Sequence, residues 1–175
     1  YSLLKTVLVF GSQGLLATEI KNLVYSTNEN WIFISSKTFN SINNIKLISI
    51  LRKSNPEIII NCFAYTNVES AETDSSSCKT LNYHFIKYLA KWTHKNNRKL
   101  IHISTDYVFD GNTSNPYNED SKCKPLNIYA ETFVQKDSKK SAASDIYLPG
   151  LTVAELKEFY NKHHHQNNLG DFYHR

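Results

Sequence analysis

Four short runs of apolar and β-branched residues, with a helical pattern in each gap, constrain this chain more than any other feature. Leu4 to Phe10, Trp31 to Ile34, Glu57 to Asn61 and Leu100 to Ser104 are short and apolar enough to read as buried strands. The first gap carries Leu16, Ile20, Leu23 and Val24 at helical spacing. The second holds an amphipathic helix from Ile45 to Leu51, ended by Asn55-Pro56. The third holds a longer helix from about Cys78 to Lys95, with Leu81, Phe85, Leu89 and Trp92 down one face. A last helix is predicted from Ile128 to Lys136.

This alternation requires right-handed crossovers and a parallel sheet with helices on both faces. The expected class is therefore α/β, a Rossmann-type doubly wound parallel sheet over residues 1–140 that forms a dinucleotide-binding domain. From Lys136 the character changes, because KDSKKSAAS is polar and linker-like. Asp145 to Leu148 suits a fifth strand, and Thr152 to Lys162 a helix with Val153, Leu156, Phe159 and Tyr160 on one side. Residues 141–175 otherwise form an unassigned C-terminal tail.

Composition narrows the partners. Apolar residues make up 41% of the 175, and no run approaches membrane-spanning length, so no membrane role is expected. The net charge of +4 comes from scattered lysines without a basic stripe, which argues against a nucleic-acid partner. The three cysteines (Cys62, Cys78, Cys123) are widely spaced and lack metal-ligand spacing, which suits reduced thiols in a cytoplasmic protein and no metal site. His163, His164 and His165 are adjacent and would point in different directions on a helix, so they read as a polar tail. His102, mid-strand, reads as a packed core residue. The sequence contains no methionine, and it is read as a processed or partial chain.

Between the first strand and its helix lies Gly11-Ser12-Gln13-Gly14-Leu15-Leu16-Ala17. Gly11 permits a tight turn, and Gly14 lets the backbone approach a pyrophosphate that the helix N-terminus stabilises. Ala17 stands where a third glycine is usual, and it is still small enough for close packing. Gly11, Ser12, Gln13, Gly14 and Leu15 are therefore the candidate phosphate loop. An NAD-specific site usually carries Asp or Glu after the second strand. This chain has Ser35-Ser36-Lys37, whose hydroxyls and cation suit a 2′-phosphate, so Ser36 and Lys37 favour NADPH with NADH still possible.

The fourth strand runs into Ser104-Thr105-Asp106-Tyr107-Val108-Phe109-Asp110-Gly111, and NPYNEDSKCKPLNIY follows, ending at Tyr129. Ligands of open α/β sheets bind beyond the carboxyl ends of the strands, which is where Ser104 and Thr105 fall. From about Thr6 to Gln135 the chain resembles the dTDP-4-dehydrorhamnose reductase branch of the extended short-chain dehydrogenases/reductases. The resemblance implies reduction of a nucleotide-linked 4-keto sugar, with hydride from a nicotinamide. It implies that Tyr129 donates the proton, that Thr105 holds the carbonyl oxygen, and that Thr105 and Asp106 face the substrate. In Asn61-Cys62-Phe63-Ala64-Tyr65-Thr66-Asn67 it places Ala64, Tyr65 and Thr66 along the nicotinamide half of the cofactor, with Cys62 and Phe63 bulkier than the family's small residues. Asn40 falls near the adenine, where the family commonly has Asp, and Asn82 matches an asparagine that supports the site.

Two departures accompany the resemblance. The family's lysine, four residues after the tyrosine, lowers the tyrosine pKa and grips the nicotinamide ribose; here that position is Phe133. Lys136 lies seven residues from Tyr129, about 10 Å along a helix at ~1.5 Å per residue, too far to substitute. Each pKa unit lost corresponds to about 1.4 kcal/mol, so two or three units would slow proton transfer roughly a hundredfold or more. Second, nothing after Lys136 resembles the family's sugar-nucleotide portion, so the substrate domain is expected to be missing. Two functions follow: a cofactor domain of an NAD(P)H-dependent sugar-nucleotide reductase, or a catalytically impaired dinucleotide-binding module that regulates or scaffolds a protein partner. A homodimer is compatible with either.

Overall fold

The four apolar runs pair as one parallel sheet in the order β2-β1-β3-β4, with β1 at Thr6–Phe10, β2 at Asn30–Ile34, β3 at Ile58–Asn61 and β4 at Lys99–His102. The structure is a computed structural model that describes residues 4–39, 44–118 and 120–134. Five α-helices connect the described strands, α1 (Leu15–Leu23), α2 (Asn44–Ser54), α3 (Val68–Thr73), α4 (Ser75–Lys79) and α5 (Ile86–Lys95), and α6 (Ile128–Glu131) follows β4. The expected strand at Asp145–Leu148, the helix at Thr152–Lys162 and the histidine run at 163–165 lie outside the described residues, as does Asn40.

Alternation along the strands sorts the sheet into two buried faces. Leu8, Phe10, Ile59 and Leu100 pack with Leu47 and Leu51 of α2 and with Phe85 and Leu89 on the other crossover. Val7, Val9, Ile60 and Ile101 pack with Ala17 of α1. Helices therefore cover both faces, as right-handed crossovers demand when a sheet grows outward from β1 in two directions. The order reverses between β1 and β3, and the crevice beyond their carboxyl ends is the usual ligand site of such sheets. A third cluster, Ala71, Cys78, Val108, Tyr129 and Phe133, lies under α3, α4 and α6.

Three local expectations are corrected. On α1 the packing position is Ala17, with Ile20 behind it, while Leu16 and Leu23 are 45% and 44% exposed. The helix approaches the sheet through its smallest residue, which turns Leu16 outward. The long helix begins at Ser75 and contains a π-helical stretch, Thr80–Phe85, between α4 and α5. The buried stripe runs through Cys78, Asn82, Phe85, Leu89 and Thr93, so Asn82 takes the place predicted for Leu81, while Trp92 packs half-buried against the core as expected. The last helix closes at Glu131, not Lys136, and continues as tight turns to Val134.

Candidate active site

The glycine turn is built by contacts that admit no side chain at its first position. Gly11 has φ +87°, and a Cβ there would stand 2.9 Å from the backbone of Cys62 and Phe63. The amides of Gly11 and Ser12 both donate to the Ile34 carbonyl, at 3.0 and 3.1 Å, which ties the turn to the end of β2. Gly14 differs. It is the N-cap of α1 in extended backbone, φ −77° and ψ 159°, with no side-chain cap, and an added Cβ would meet only the Gly11 carbonyl oxygen, at 3.4 Å. The first-turn amides of α1 have no intrahelical acceptors. This arrangement fits a pyrophosphate.

The turn after β2 sits beside this loop, with the Ser36 hydroxyl 3.4 Å from the Gln13 side-chain oxygen. Ser35 meets Thr38 hydroxyl to hydroxyl at 3.4 Å, and Lys37 is exposed. Gln13 and Ser36 thus share one corner, with the exposed Lys37 next in sequence.

The loop after β3 is held by Asn82. Its side chain accepts from the Tyr65 amide at 2.8 Å and donates to the Tyr65 carbonyl at 3.0 Å, fixing both backbone groups of one residue. Both bonds originate in the π-helical turn, which points Asn82 inward. Ala64 and Tyr65 pack against the third cluster, while Thr66 is exposed. Asn61, 1% exposed, bridges the Phe63 amide and carbonyl and meets His102 Nδ1 at 3.1 Å.

Strand β4 ends at His102, two residues earlier than predicted, so Ser104 and Thr105 lie in the loop beyond its carboxyl end. Thr105 Oγ1 accepts from the Tyr107 amide at 3.3 Å and donates to Asp106 Oδ1 at 3.4 Å. The Tyr107 ring stands edge-on to that of Tyr129, centroids 5.8 Å apart at 85°. Thr105 and Tyr129 are therefore joined through one intervening aromatic residue. Further along, Asp110 accepts from the Asn112 amide and from Tyr117, and pairs with Lys124 at 3.1 Å; these bonds hold its carboxyl down at about 2.

Tyr129 is the second residue of a helix of a single turn, located by one group close in sequence and one far from it. Asn127 caps the turn by accepting from the Ala130 amide at 2.8 Å, and Glu72 Oε1 accepts from the Ile128 amide at 2.8 Å. The asparagine is a recognisable capping residue; the glutamate comes from a distant segment and carries no local signal. The Thr132 hydroxyl donates to the Tyr129 carbonyl at 2.6 Å and faces Cys78 Sγ at 3.9 Å, while Asn82 donates to the same sulfur at 3.6 Å. A buried polar chain thus runs from the Tyr65 backbone to the Tyr129 backbone.

Phe133, where the lysine was expected, is 8% exposed. It stands 5.2 Å from Tyr129 at 66° and stacks on His102. His102 is the packed residue predicted: burial pushes it down to about 4, partly opposed by its hydrogen bond to Asn61, and it is neutral at pH 7. Burial likewise raises the Cys62 thiol to about 11, which leaves it protonated and unreactive.

A groove of about 490 Å³ between α2 and α5 includes Arg52, Lys91 and Lys95 but none of these residues. Arg52 and Lys95 lie in the last turns of their helices, where cations offset the helix dipole.

Comparison with known proteins agrees with this geometry. The family described as the RmlD substrate binding domain matches residues 5–145. A dTDP-4-keto-6-deoxy-D-glucose reductase of Streptomyces niveus is 28% identical over 156 residues, 89% of this chain and 53% of that protein. A dTDP-4-dehydrorhamnose reductase of Aggregatibacter actinomycetemcomitans is 32% identical over 127 residues, 72% of this chain and 43% of that protein. The crystal structure of dTDP-4-dehydrorhamnose reductase from Bacillus anthracis str. Ames in complex with NADP superposes with a TM-score of 0.70 at 26% identity, covering 75% of this chain and 47% of that one. The chain spans about half the length of the curated relatives it matches. With most of its length matched, and a fold shared with solved relatives, the chain belongs to the RmlD substrate binding domain family.

Proposed function

We propose that this chain is the dinucleotide-binding part, residues 1–140, of an NADP(H)-dependent reductase acting on a nucleotide-linked 4-keto-6-deoxy sugar. The observation that carries the reading is the convergence of three loops at the carboxyl end of the sheet: Gly11–Leu15 after β1, Ala64–Thr66 after β3, and Thr105–Asp106 with Tyr129 after β4. The uncapped start of α1 holds the pyrophosphate, Ser36 and Lys37 the 2′-phosphate, and the Asn82-fixed loop lines the nicotinamide half. When bound, the dinucleotide supplies hydride. Tyr129 then gives a proton to the sugar oxygen, which the Thr105 hydroxyl holds by hydrogen bond. Asp106, hydrogen-bonded to Thr105, is assigned with it to the substrate, and a dTDP-sugar is the substrate class by analogy with the relatives.

Isothermal titration with NADPH and NADH tests the binding half. Micromolar NADPH binding, weakened about tenfold or more in Lys37→Glu, is expected. Equal affinity for the two dinucleotides removes the 2′-phosphate assignment, and no heat with either removes the reading. The reaction is tested by supplying a dTDP-4-keto sugar with NADPH to the longest natural form of the protein.

One observation favours a second reading. The buried Phe133 ring occupies the position where the family keeps its lysine, leaving Tyr129 without that cation. In this reading the chain binds dinucleotide without turnover and serves a protein partner, or a second copy of itself, as a regulatory module. NADPH binding without measurable reduction of the sugar supports it.

A further inference from the structure

We propose that Glu72 is a positioning residue for Tyr129, acting through the backbone amide of Ile128. The proposal rests on the reading that Tyr129 is the proton donor beside a bound nicotinamide, and it asks what holds that tyrosine in place. Tyr129 lies in a four-residue helix, α6, and one turn does not sustain itself, because helix formation has a costly nucleus. The initial amides of α6 need acceptors from outside. Asn127 supplies one, locally. The other comes from Glu72, 56 residues earlier, whose Oε1 accepts from Ile128 at 2.8 Å.

The source of that carboxylate gives the contact its consequence. Glu72 belongs to α3, which begins directly after the Ala64–Thr66 loop and is capped at Asn67, whose side chain accepts from Ser70 at 2.9 Å. Ala71 of α3 and Tyr129 share the third buried cluster. Through Glu72, the tyrosine is located against the loop proposed to line the nicotinamide. Glu72 itself is exposed and is not one of the core residues, so its loss should displace Tyr129 without unfolding the sheet.

The test uses the full chain with ¹³C-labelled tyrosine and the variants Glu72→Ala, Glu72→Gln and Glu72→Asp. Tyr129 ring signals, assigned with Tyr129→Phe, are sensitive to the edge contacts with Tyr107 and Phe133 at 5.8 and 5.2 Å. In Glu72→Ala these signals should shift while those of Tyr25, 95% exposed, stay fixed. Glu72→Gln, which retains an acceptor oxygen at the same reach, should overlay the unchanged chain. Glu72→Asp, one methylene short, should shift the signals in the same direction by less, and it stands in should Glu72→Ala fail to fold. Unmoved Tyr129 signals in Glu72→Ala, or a glutamine variant that behaves like alanine, overturn the proposal.

A binding cycle adds the functional readout. Tyr129→Phe should weaken NADPH binding about fivefold with Glu72 present and less than about twofold in the Glu72→Ala background. Strictly additive effects overturn the proposal. If the unchanged chain binds no dinucleotide, the proposed function fails, and the ring signals still decide the role of Glu72.

Discussion

The rings of Phe133 and His102 form an offset parallel stack, with 5.9 Å between centroids and 4° between their planes. One comes from the last described turns of the chain and the other from the end of β4, so the contact pins the Tyr129 segment to the sheet. Where the resemblance implies a lysine, the structure has an aromatic ring in a neutral, largely apolar stack. Phe133 and Tyr129 are in mutual ring contact, so the i, i+4 relation survives although the helix is shorter than predicted.

Phe133→Lys should therefore destabilise the fold before it improves any chemistry. The substitution removes a buried ring and places an ammonium beside a histidine that burial keeps neutral. A loss of about 3 kcal/mol is expected, visible as a fall in Tm of roughly 10 °C by circular dichroism. An unchanged Tm with tighter NADPH binding would show that the lysine swings out to the ribose, and would favour descent from an active reductase.

The same stack makes stability depend on pH. His102 is depressed from 6.5 to about 4, so as pH falls the unfolded chain takes up the proton first. Its contribution is fully present above about pH 6.5 and is lost as pH falls through about 4, up to about 3 kcal/mol in all. Urea midpoints at pH 7.5 and 4.5 should differ less in His102→Asn than in the unchanged chain. Asp110, held down at about 2, acts in the same direction in a lower window, below the usual carboxylate pKa of 3.8, and is common to both proteins. Identical pH dependence in the two proteins would mean that His102 is solvated.

The two glycines of the phosphate loop should respond in opposite ways. Gly11→Ala adds a Cβ 2.9 Å from the Cys62 and Phe63 backbone at a positive φ, and should cost at least about 2 kcal/mol in urea titration. In Gly14→Val the new Cβ meets only the Gly11 carbonyl, and the backbone is one that valine favours. It should melt within about 1 kcal/mol of the unchanged chain while losing NADPH binding. Unfolding of the valine variant would make Gly14 a structural residue.

Asn82→Ala leaves the Tyr65 amide and carbonyl without their partner and opens a gap beside Cys78. A destabilisation of about 2–3 kcal/mol is expected, with faster amide exchange at Tyr65. Protection at Tyr65 equal to that of the unchanged chain would show that the loop does not depend on the bidentate contact.

The local pattern of this chain determined its strands, their connection by helices and the glycine turn between the first strand and helix. Strand periodicity and turn chemistry act over a few residues, so they are written into adjacent positions. That reach explains why the glycine turn after β1, the polar turn after β2 and the packed place of His102 were legible, whereas the expectation of a lysine at position 133 came from the family resemblance and not from spacing. Tertiary structure decided the rest. The π-helical turn that brings Asn82 inward is set by packing against the Tyr65 loop, and the approach of α1 through Ala17 by the shape of the sheet face. The end of the Tyr129 helix at Glu131 and its cap from Glu72 depend on contacts between segments far apart in sequence. A hydrogen bond across 56 residues exists only after the sheet has brought α3 beside α6, and no pattern within either segment encodes it.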